Sequence, residues 1–486
     1  MKPIKESTCR TSCCQEPLSP SARLFQEQQL NCYIIAALGW KTSTINPSIV
    51  KEGLEQTLIK HPRFSSKLVA EDGKGRKLKW VRTKVNVNDH VIVPNLDRNM
   101  DSPDRFVEDY ISNLSTIPMD NSKPLWEMHL LDVQTSENEA VVVFKLHHSM
   151  GDGASLISVL LACSRKTLDP KALPSLPVPK RAGSSCTASS GLWSLFLAMW
   201  TALRMIWNTA MDFILFAATI LCLKDTNTPL KGTPGVELKP KRFVHRIVSM
   251  DDIKMVKNAM NTTINDVVMG VIQAGLSRYL NRKFGGDSKI ERGGDDGHGK
   301  SDNGGDHSDG VIKVTFANLM AEESNIPKWG WGNWIGIIIL PITISLENDP
   351  LDYVRRAKAT IDRKKLSLKA VFTFRSVMFI LKLFGTKAAA ATTHRTFCNT
   401  TITFSNVVGP IEEISLFGHP IAYIAPTIYG TPHALTIHAQ SYSNKMAVVL
   451  GVDPDVIPNP HELCDDLEES LKIIKDAVVE RGLNAS

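Results

Sequence analysis

The richest chemistry in this 486-residue chain is concentrated in His147-His148-Ser149-Met150-Gly151-Asp152-Gly153. Residues 141–146 before it are β-branched and apolar enough for a buried strand, and residues 154–163 after it have the length and apolar spacing of a helix. The histidines therefore fall at a strand-to-turn junction. Side chains alternate faces along a strand, so the two imidazoles are expected to diverge, one lining a site and the other structural. With an ordinary pKa of about 6.5, imidazole can accept a proton and return it near neutral pH. His148 is the candidate base and His147 the fallback. Gly151 and Gly153 are expected to supply a sharp turn through backbone angles that other residues resist. That turn would set Asp152 at the start of the following helix, bracing the junction and orienting the imidazole without touching substrate. The plainer reading of the same residues is a buried histidine pair satisfied by backbone groups.

Elements that could hold this stretch run along the whole chain. Residues 31–40 read as a first strand, and residues 50–59 as a helix with Val50, Leu54, Leu58 and Ile59 at helical spacing. Asn46 and Ser48 offer caps for that helix, and His61-Pro62 ends it. Residues 77–81 and 85–93 are strand-like, and residues 104–114 form a short amphipathic helix. Lys123-Pro124-Leu125-Trp126 leads into an alternating strand at 127–133, one hairpin before the histidines, with Trp126 expected to pack at the strand start.

From 164 to 190 the composition shifts to proline, lysine and serine, as in a crossover linker. The least polar stretch follows at 192–223, long enough to span a bilayer. Arg204, Asn208 and Asp212 are spaced by four, so a helix gathers them on one polar stripe. A charge at the bilayer centre costs about 2.5 to 3.5 kcal/mol, while Trp193, Trp200 and Trp207 suit an interface. The expectation is a membrane-associated helix, interfacial or obliquely inserted, with a full span and a soluble core helix as the alternatives.

In the second half, Thr263 and Asp266 are spaced as a capping box for a helix running through Leu280. Residues 285–310 are rich in glycine, aspartate and serine and read as a disordered loop. His298 and His307 lie within it, and no metal is expected there because a metal needs a rigid set of ligands. A strand at 311–316 is followed by Trp329-Gly330-Trp331-Gly332-Asn333-Trp334-Ile335-Gly336, whose glycines imply close backbone approach, and by a strand at 337–344. Residues 351–369 form a basic helix suited to anionic headgroups, to CoA phosphates or simply to water, followed by a mostly apolar run at 371–384. Strands at 403–410, around Ile421, at 434–438 and at 446–452 precede a terminal helix at 460–479.

Length and composition set the frame. So long a chain exceeds what one core usually supports, and 43% hydrophobic content suits a globular enzyme. The net charge of +6 comes from 56 basic and 50 acidic residues, too even a balance for a nucleic-acid partner without a clustered patch. Nine scattered cysteines show no regular framework and read as reduced thiols in a cytosol-facing protein. The first thirty residues hold no continuous apolar core of a secretory signal.

The pattern His-His-x-x-x-Asp-Gly at 147–153 resembles the signature of acyltransferases built like chloramphenicol acetyltransferase, and more closely that of the plant wax ester synthase/diacylglycerol acyltransferases. The Pro124-Leu125-Trp126 triplet, the Asn265-Asp266 pair, Gly332-Asn333 with Gly336, and Ser405-Asn406-Val407 with Gly409-Pro410 resemble further elements of that family, in the same order from Pro17 to Leu471. Where the family carries Asn-Leu-Arg-Pro, this chain reads Asn318-Leu319-Met320-Ala321. Soluble plant acyltransferases acting on phenolic alcohols share His-x-x-x-Asp-Gly, but their Asp-Phe-Gly-Trp-Gly element is absent from this chain.

The resemblance implies an α/β fold with two chloramphenicol-acetyltransferase-like domains, the active site at their junction, and a membrane-associated helical segment. Residues 1–165 would form the first domain, 166–240 the linker and membrane segment, and 241–486 the second domain. The implied reaction moves a fatty acyl group from acyl-CoA to a long-chain alcohol or, less efficiently, to diacylglycerol, with no cofactor. Acyl-CoA, the acceptor and membrane lipid are the expected partners, and the endoplasmic reticulum or plasma membrane, with catalytic domains facing the cytosol, is the expected location. A thiol has a pKa near about 8.5 and an alcohol resembles water at about 15.7, so the nucleophile needs a base and the leaving group little help. The competing expectations are a lipid-binding relative with weak turnover and an acyltransferase for phenolic alcohols.

Overall fold

The computed structural model describes residues 15–70, 78–97, 100–177, 192–226, 228–284, 310–318, 331–333, 336–365 and 369–483. The expected loop at 285–310 lies outside these residues except for Gly310, as do His298, His307 and the departure at 319–321.

Two large sheets carry the molecule. The first has the order β5 (Val91–Ile92), β6 (Trp126–Leu131), β7 (Ala140–His147), β2 (Tyr33–Trp40), β14 (His419–Tyr429), β13 (Ile414–Leu416) and β8 (Ser164–Lys166). Its centre is β7, whose Val141, Val142, Val143 and Leu146 are all buried, as befits a β-branched run covered on both faces. Trp40, Trp126 and Phe64 fill the same core, and Trp126 has the packing role expected of it, donating from Nε1 to the Phe64 carbonyl at 2.9 Å. Four helices attend this half: α1 (Pro20–Leu24), α2 (Pro47–Gln56), α3 (Pro103–Thr116) and α4 (Gly153–Cys163). A small sheet of β1 (Gln15–Pro17), β4 (Leu78–Arg82) and β3 (Ser66–Ala70) sits at the edge.

The second sheet runs β11 (Gly336–Ile344), β10 (Gly310–Asn318), β12 (Ile402–Val407), β15 (Leu435–Tyr442), β16 (Lys445–Val452) and β9 (Arg242–Ser249). Its apolar face is covered by α6 (Met250–Ala259), α7 (Ile264–Phe284), α8 (Pro350–Lys365) and α10 (Pro460–Glu480). The capping box read at the start of α7 is formed: Thr263 N donates to Asp266 Oδ2 at 2.7 Å, and Asp266 N to Thr263 Oγ1 at 3.3 Å.

Two expectations are corrected. Residues 85–93 are not one strand: Asn86 takes the Asn88 N–H on its side chain and turns Val87–Asp89 into a 3₁₀ helix, leaving two residues of strand. Nor do the sheets follow a division at residues 165 and 240. β14 and β13 come from the C-terminal stretch yet complete the first sheet, with β14 antiparallel to β2 from Ile421 to Tyr429, and β8 pairs on the outside of β13. The far edge of β2 would otherwise expose a row of backbone groups. Tyr442 of the second sheet donates to the Ile421 carbonyl at 2.9 Å, tying the sheets where they meet.

Two thirty-residue helices lie apart from this plan, α5 (Leu192–Leu221) and α9 (Lys369–Cys398). α9 breaks at Gly385, whose φ of +84° suits glycine alone. α5 is long and apolar enough to cross a membrane by length and composition. Among its large apolar side chains, Trp193, Phe196, Trp200, Leu203, Ile206 and Trp207 are exposed. The polar stripe behaves differently toward its C-terminal end, where Asp212 is buried against Lys364 of α8 in an ion pair.

Candidate active site

β7 delivers His147 as its last residue, and His148–Met150 form a single 3₁₀ turn before α4. Asp152 is the N-cap of α4, its Oδ1 accepting the Ser155 N–H at 2.9 Å, as the sequence predicts. The glycines beside it act differently from expectation. Gly151 has φ 173°, ψ 166°, an extended conformation open to any residue. What excludes a side chain there is space: a Cβ on Gly151 would lie 2.8 Å from Trp331, and one on Gly153 would lie 3.1 Å from Val407. The motif is glycine-flanked because a second part of the chain packs onto its backbone.

The strand ends at His147 and His148 opens the turn, so strand alternation does not govern the pair, and their surroundings are opposite. His147 is tied on both nitrogens. Nε2 lies 2.8 Å from Asn31 Oδ1, an acceptor, which puts the ring proton on Nε2. Nδ1 then accepts from Ser149 Oγ at 2.7 Å, with Gln26 Nε2 donating to that hydroxyl at 2.9 Å. Burial, and then the neighbouring His148, hold His147 far below the usual imidazole range, at about 3. It is a neutral structural group with no lone pair to spare.

His148 is 8% exposed and stacks on Phe25, ring centroids 4.2 Å apart at 14°. Its backbone is held at both ends, the N–H on the Cys32 carbonyl at 2.9 Å and the carbonyl by Asn333 Nδ2 at 3.0 Å. Among the described residues no group satisfies Nδ1 with hydrogen-bond geometry. Burial pushes the His148 pKa down, partly offset by its own carbonyl oxygen, by Asp152 and by the Asn333 side chain. A proton carried on Nδ1 leaves the lone pair on Nε2. At neutral pH His148 is therefore an uncharged imidazole, fixed in place and ready to accept a proton.

A latch from the second half of the molecule closes over the motif. Trp331 Nε1 donates to the Met150 carbonyl, and the Gly332 carbonyl accepts from Asp152 N at 3.3 Å and Ser155 Oγ at 3.0 Å. Asn333 Nδ2 spans the His148 and Ser149 carbonyls. This is the close approach that the glycine density around 330–336 predicted. Asn265 and Asn406, singled out in separate motifs, meet in a 2.6 Å bond. The second sheet also brings His438 to the junction, buried, with burial and then His148 holding its pKa down to about 4.

Gln26, Asn31, Phe25 and His438 were not legible as site residues, since each is an isolated polar or aromatic residue more than a hundred positions from the motif. The basic helix α8 resolves into local ion pairs, Arg355 with Asp349 and Asp352, Arg356 with Glu347, and Lys358 with Asp362. Among the described residues no cluster of three metal-ligating side chains occurs.

Comparison with known proteins places this geometry. Residues 40–268 match the wax ester synthase/diacylglycerol acyltransferase catalytic domain, and residues 331–475 the WS/DGAT C-terminal domain. Wax ester synthase/diacylglycerol acyltransferase 11 of Arabidopsis thaliana is 51% identical over 490 residues, covering 98% of each chain. The chain belongs to the wax ester synthase/diacylglycerol acyltransferase family. A second member, wax ester synthase/diacylglycerol acyltransferase 5 of Arabidopsis thaliana, is 49% identical and covers 96% of this chain and 94% of its own. In fold, the family enzyme from Marinobacter aquaeolei VT8 superposes with a TM-score of 0.59 at 17% identity, covering 95% of this chain and all of that one. The first condensation domain of the calcium-dependent antibiotic synthetase gives 0.57 at 13% identity, covering 96% and 97%. The α/β fold with two sheet-based halves is thus that of the family.

Proposed function

We propose that the protein transfers a fatty acyl group from acyl-CoA to a long-chain alcohol, forming a wax ester, and less efficiently to diacylglycerol, forming triacylglycerol. The observation that carries this is a neutral His148, its ring braced by Phe25 and its carbonyl by Asn333, at the meeting of two sheets in a chain of this family. Nε2 of His148 takes the hydroxyl proton as the alcohol oxygen attacks the thioester carbonyl. Collapse of the tetrahedral intermediate breaks the C–S bond, and the imidazolium protonates the departing CoA sulfur. No acyl-enzyme and no cofactor enter. Asp152 and Asn333 act as positioning residues, and His147 holds the turn in shape.

Both acceptors dissolve in lipid, so delivery from a membrane fits the reaction. Large apolar side chains stand exposed along α5 from Trp193 to Ile214 and again at Leu221, and at 1.5 Å per residue the run from 193 to 214 reaches about 33 Å, comparable to a hydrocarbon core of about 30 Å. Asp212, Phe216 and Thr219 are buried, and the Asp212–Lys364 ion pair ties that one face of the helix to the protein. A face tied to the protein favours oblique or interfacial insertion over a full span, and the membrane proposed is that of the endoplasmic reticulum or the plasma membrane, with the catalytic halves facing the cytosol. α9 extends the apolar surface with exposed Phe379, Leu383 and Phe384, while its Val377, Ala389 and Ala390 pack on Leu24 and Leu30 beside the segment covering His148. A primary alcohol offers an unhindered hydroxyl on a thin chain, whereas the hydroxyl of diacylglycerol is flanked by two acyl arms, which favours the alcohol.

Expression in cells lacking their own neutral-lipid synthesis, supplied with fatty alcohol, tests the assignment by quantifying both products. Wax ester in excess of triacylglycerol is expected. Triacylglycerol without wax ester overturns the acceptor preference, and neither product, with no thiol released from acyl-CoA by purified protein, overturns acyl transfer.

A further inference from the structure

Acyl transfer through a tetrahedral intermediate needs more than a base. When the alcohol oxygen bonds to the thioester carbon, the carbonyl π pair moves onto oxygen, and a donor aimed at that oxyanion lowers the barrier. The alternation of β15 indicates where such a donor stands. Leu435, Ile437 and Ala439 belong to the core beneath the helices of the second half, so Thr436, His438, Gln440 and Tyr442 point the other way. Tyr442 on that face joins the core of the first half and bonds the Ile421 carbonyl, which fixes the face as the one meeting the first sheet. His438 stands there at 9% exposure, beside Ser405 in the parallel register of β12.

Among the described residues His438 Nδ1 is a buried polar atom without a hydrogen-bond partner, as are Nδ1 of His148, Nδ1 of His419 and Nε2 of His129. Two other buried histidines have both nitrogens engaged. His433 is held on both nitrogens, by Thr400 and Thr403 at 2.9 Å each, and His147 by Asn31 and Ser149. A buried polar group left unpaired in the resting protein is one that a ligand can complete. Of the four rings with such a nitrogen, His419 stacks on Trp40 and His129 Nε2 lies 3.6 Å from Glu127, whereas His148 and His438 come from opposite halves and face one junction, near enough that a charge on His148 depresses His438 further.

We propose that His438 is a second catalytic residue, donating an imidazole N–H to the oxyanion of the tetrahedral intermediate while His148 handles the proton. Burial keeps His438 neutral and a poor base at working pH, which suits a donor and not a proton acceptor. On collapse the electron pair returns to the carbonyl, the C–S bond breaks and the proton held by His148 goes to sulfur, so His438 ends each cycle unchanged.

The inference rests on the acyl-transfer reading, so that reading is checked first: wild-type protein must release thiol from acyl-CoA in the presence of a long-chain alcohol, and His148→Ala must not. His438→Gln keeps an N–H donor, whereas His438→Leu and His438→Phe fill the site without one, the last preserving the ring where leucine lowers the folded yield. The expected result is a kcat about 10²- to 10³-fold down in the donorless variants, with the acyl-CoA KM within about 3-fold of wild type and a clear recovery of kcat in His438→Gln. Wild-type kcat in either donorless variant, or equal kcat in Gln and donorless variants with matched melting profiles, overturns the role of His438 and leaves the acyl-transfer reading intact.

Discussion

His147 and His148 are adjacent and chemically identical, and their neighbours alone separate them. The first spends both nitrogens on Asn31 and Ser149, while the second is stacked, buried and unengaged. Replacing each should therefore fail in a different measurement. His148→Ala is expected to lose about 10²- to 10⁴-fold in turnover while the protein still folds, with the loss of packing on Phe25 read separately by the melting temperature. His147→Ala should lower stability by about 1 to 3 kcal/mol, since it strands the buried partners of the ring. Wild-type turnover in the first variant would refute the base. The pH dependence follows from the same environment. The folded pKa of His148 lies below the usual value, so the neutral, active form prevails at pH 7 and turnover falls only as pH drops below about 6.5. An acid limb centred above pH 7 would contradict a buried neutral base.

Among the elements, α4 and the 331–333 latch position the site and α5 positions the molecule. Asp152→Ala removes the cap of α4 and should cost about 0.5 to 2 kcal/mol, lowering melting temperature and turnover together. An unchanged melting temperature would remove the bracing role. For α5, the buried pair between Asp212 and Lys364 decides the docking of the helix. Asp212→Ala leaves a buried ammonium without its partner and should cost about 3 to 5 kcal/mol, whereas replacing both residues by apolar ones of similar volume should be close to neutral. Equal destabilisation in the single and double variants, read by denaturant unfolding, would show that the pair is not what holds the helix. Removing residues 192–221 is expected to release the protein from membranes while both sheets remain folded, as sedimentation with vesicles and circular dichroism would report.

For the whole molecule, the histidines buried in the core couple stability to pH. Burial holds His147 and His433 at about 3 and His438 at about 4 in the folded protein, against an ordinary value of 6.5. In the window between about 4 and 6.5 the unfolded chain binds more protons than the folded one, so stability rises with pH there and is lost as pH falls. Each group contributes on the order of 1.4 kcal/mol per pH unit in that window. A clear drop in melting temperature between pH 7 and pH 5 is expected. His433→Gln should make the drop shallower, and an equal melting temperature at both pH values would show that these rings are not held neutral.

What the sequence determined by itself was local or carried by motif. The strand, turn and capped helix around His148 follow from β-branched periodicity and an aspartate at an N-cap, and the capping box at Thr263 and Asp266 follows from spacing alone. The polar stripe of α5 was legible from its period, although its partner Lys364 lies 152 residues away. Tertiary structure decided everything that depends on contacts between distant segments. It drew β14 into the first sheet and closed the 331–333 latch, so that the glycines of the motif answer to packing and not to backbone angles. It also gave the two histidines different hydrogen-bond surroundings and set His438 at the junction. A hydrogen-bond partner more than a hundred residues away leaves no periodicity in a chain, and burial, which fixes the protonation state of an imidazole, exists only once the sheets have met.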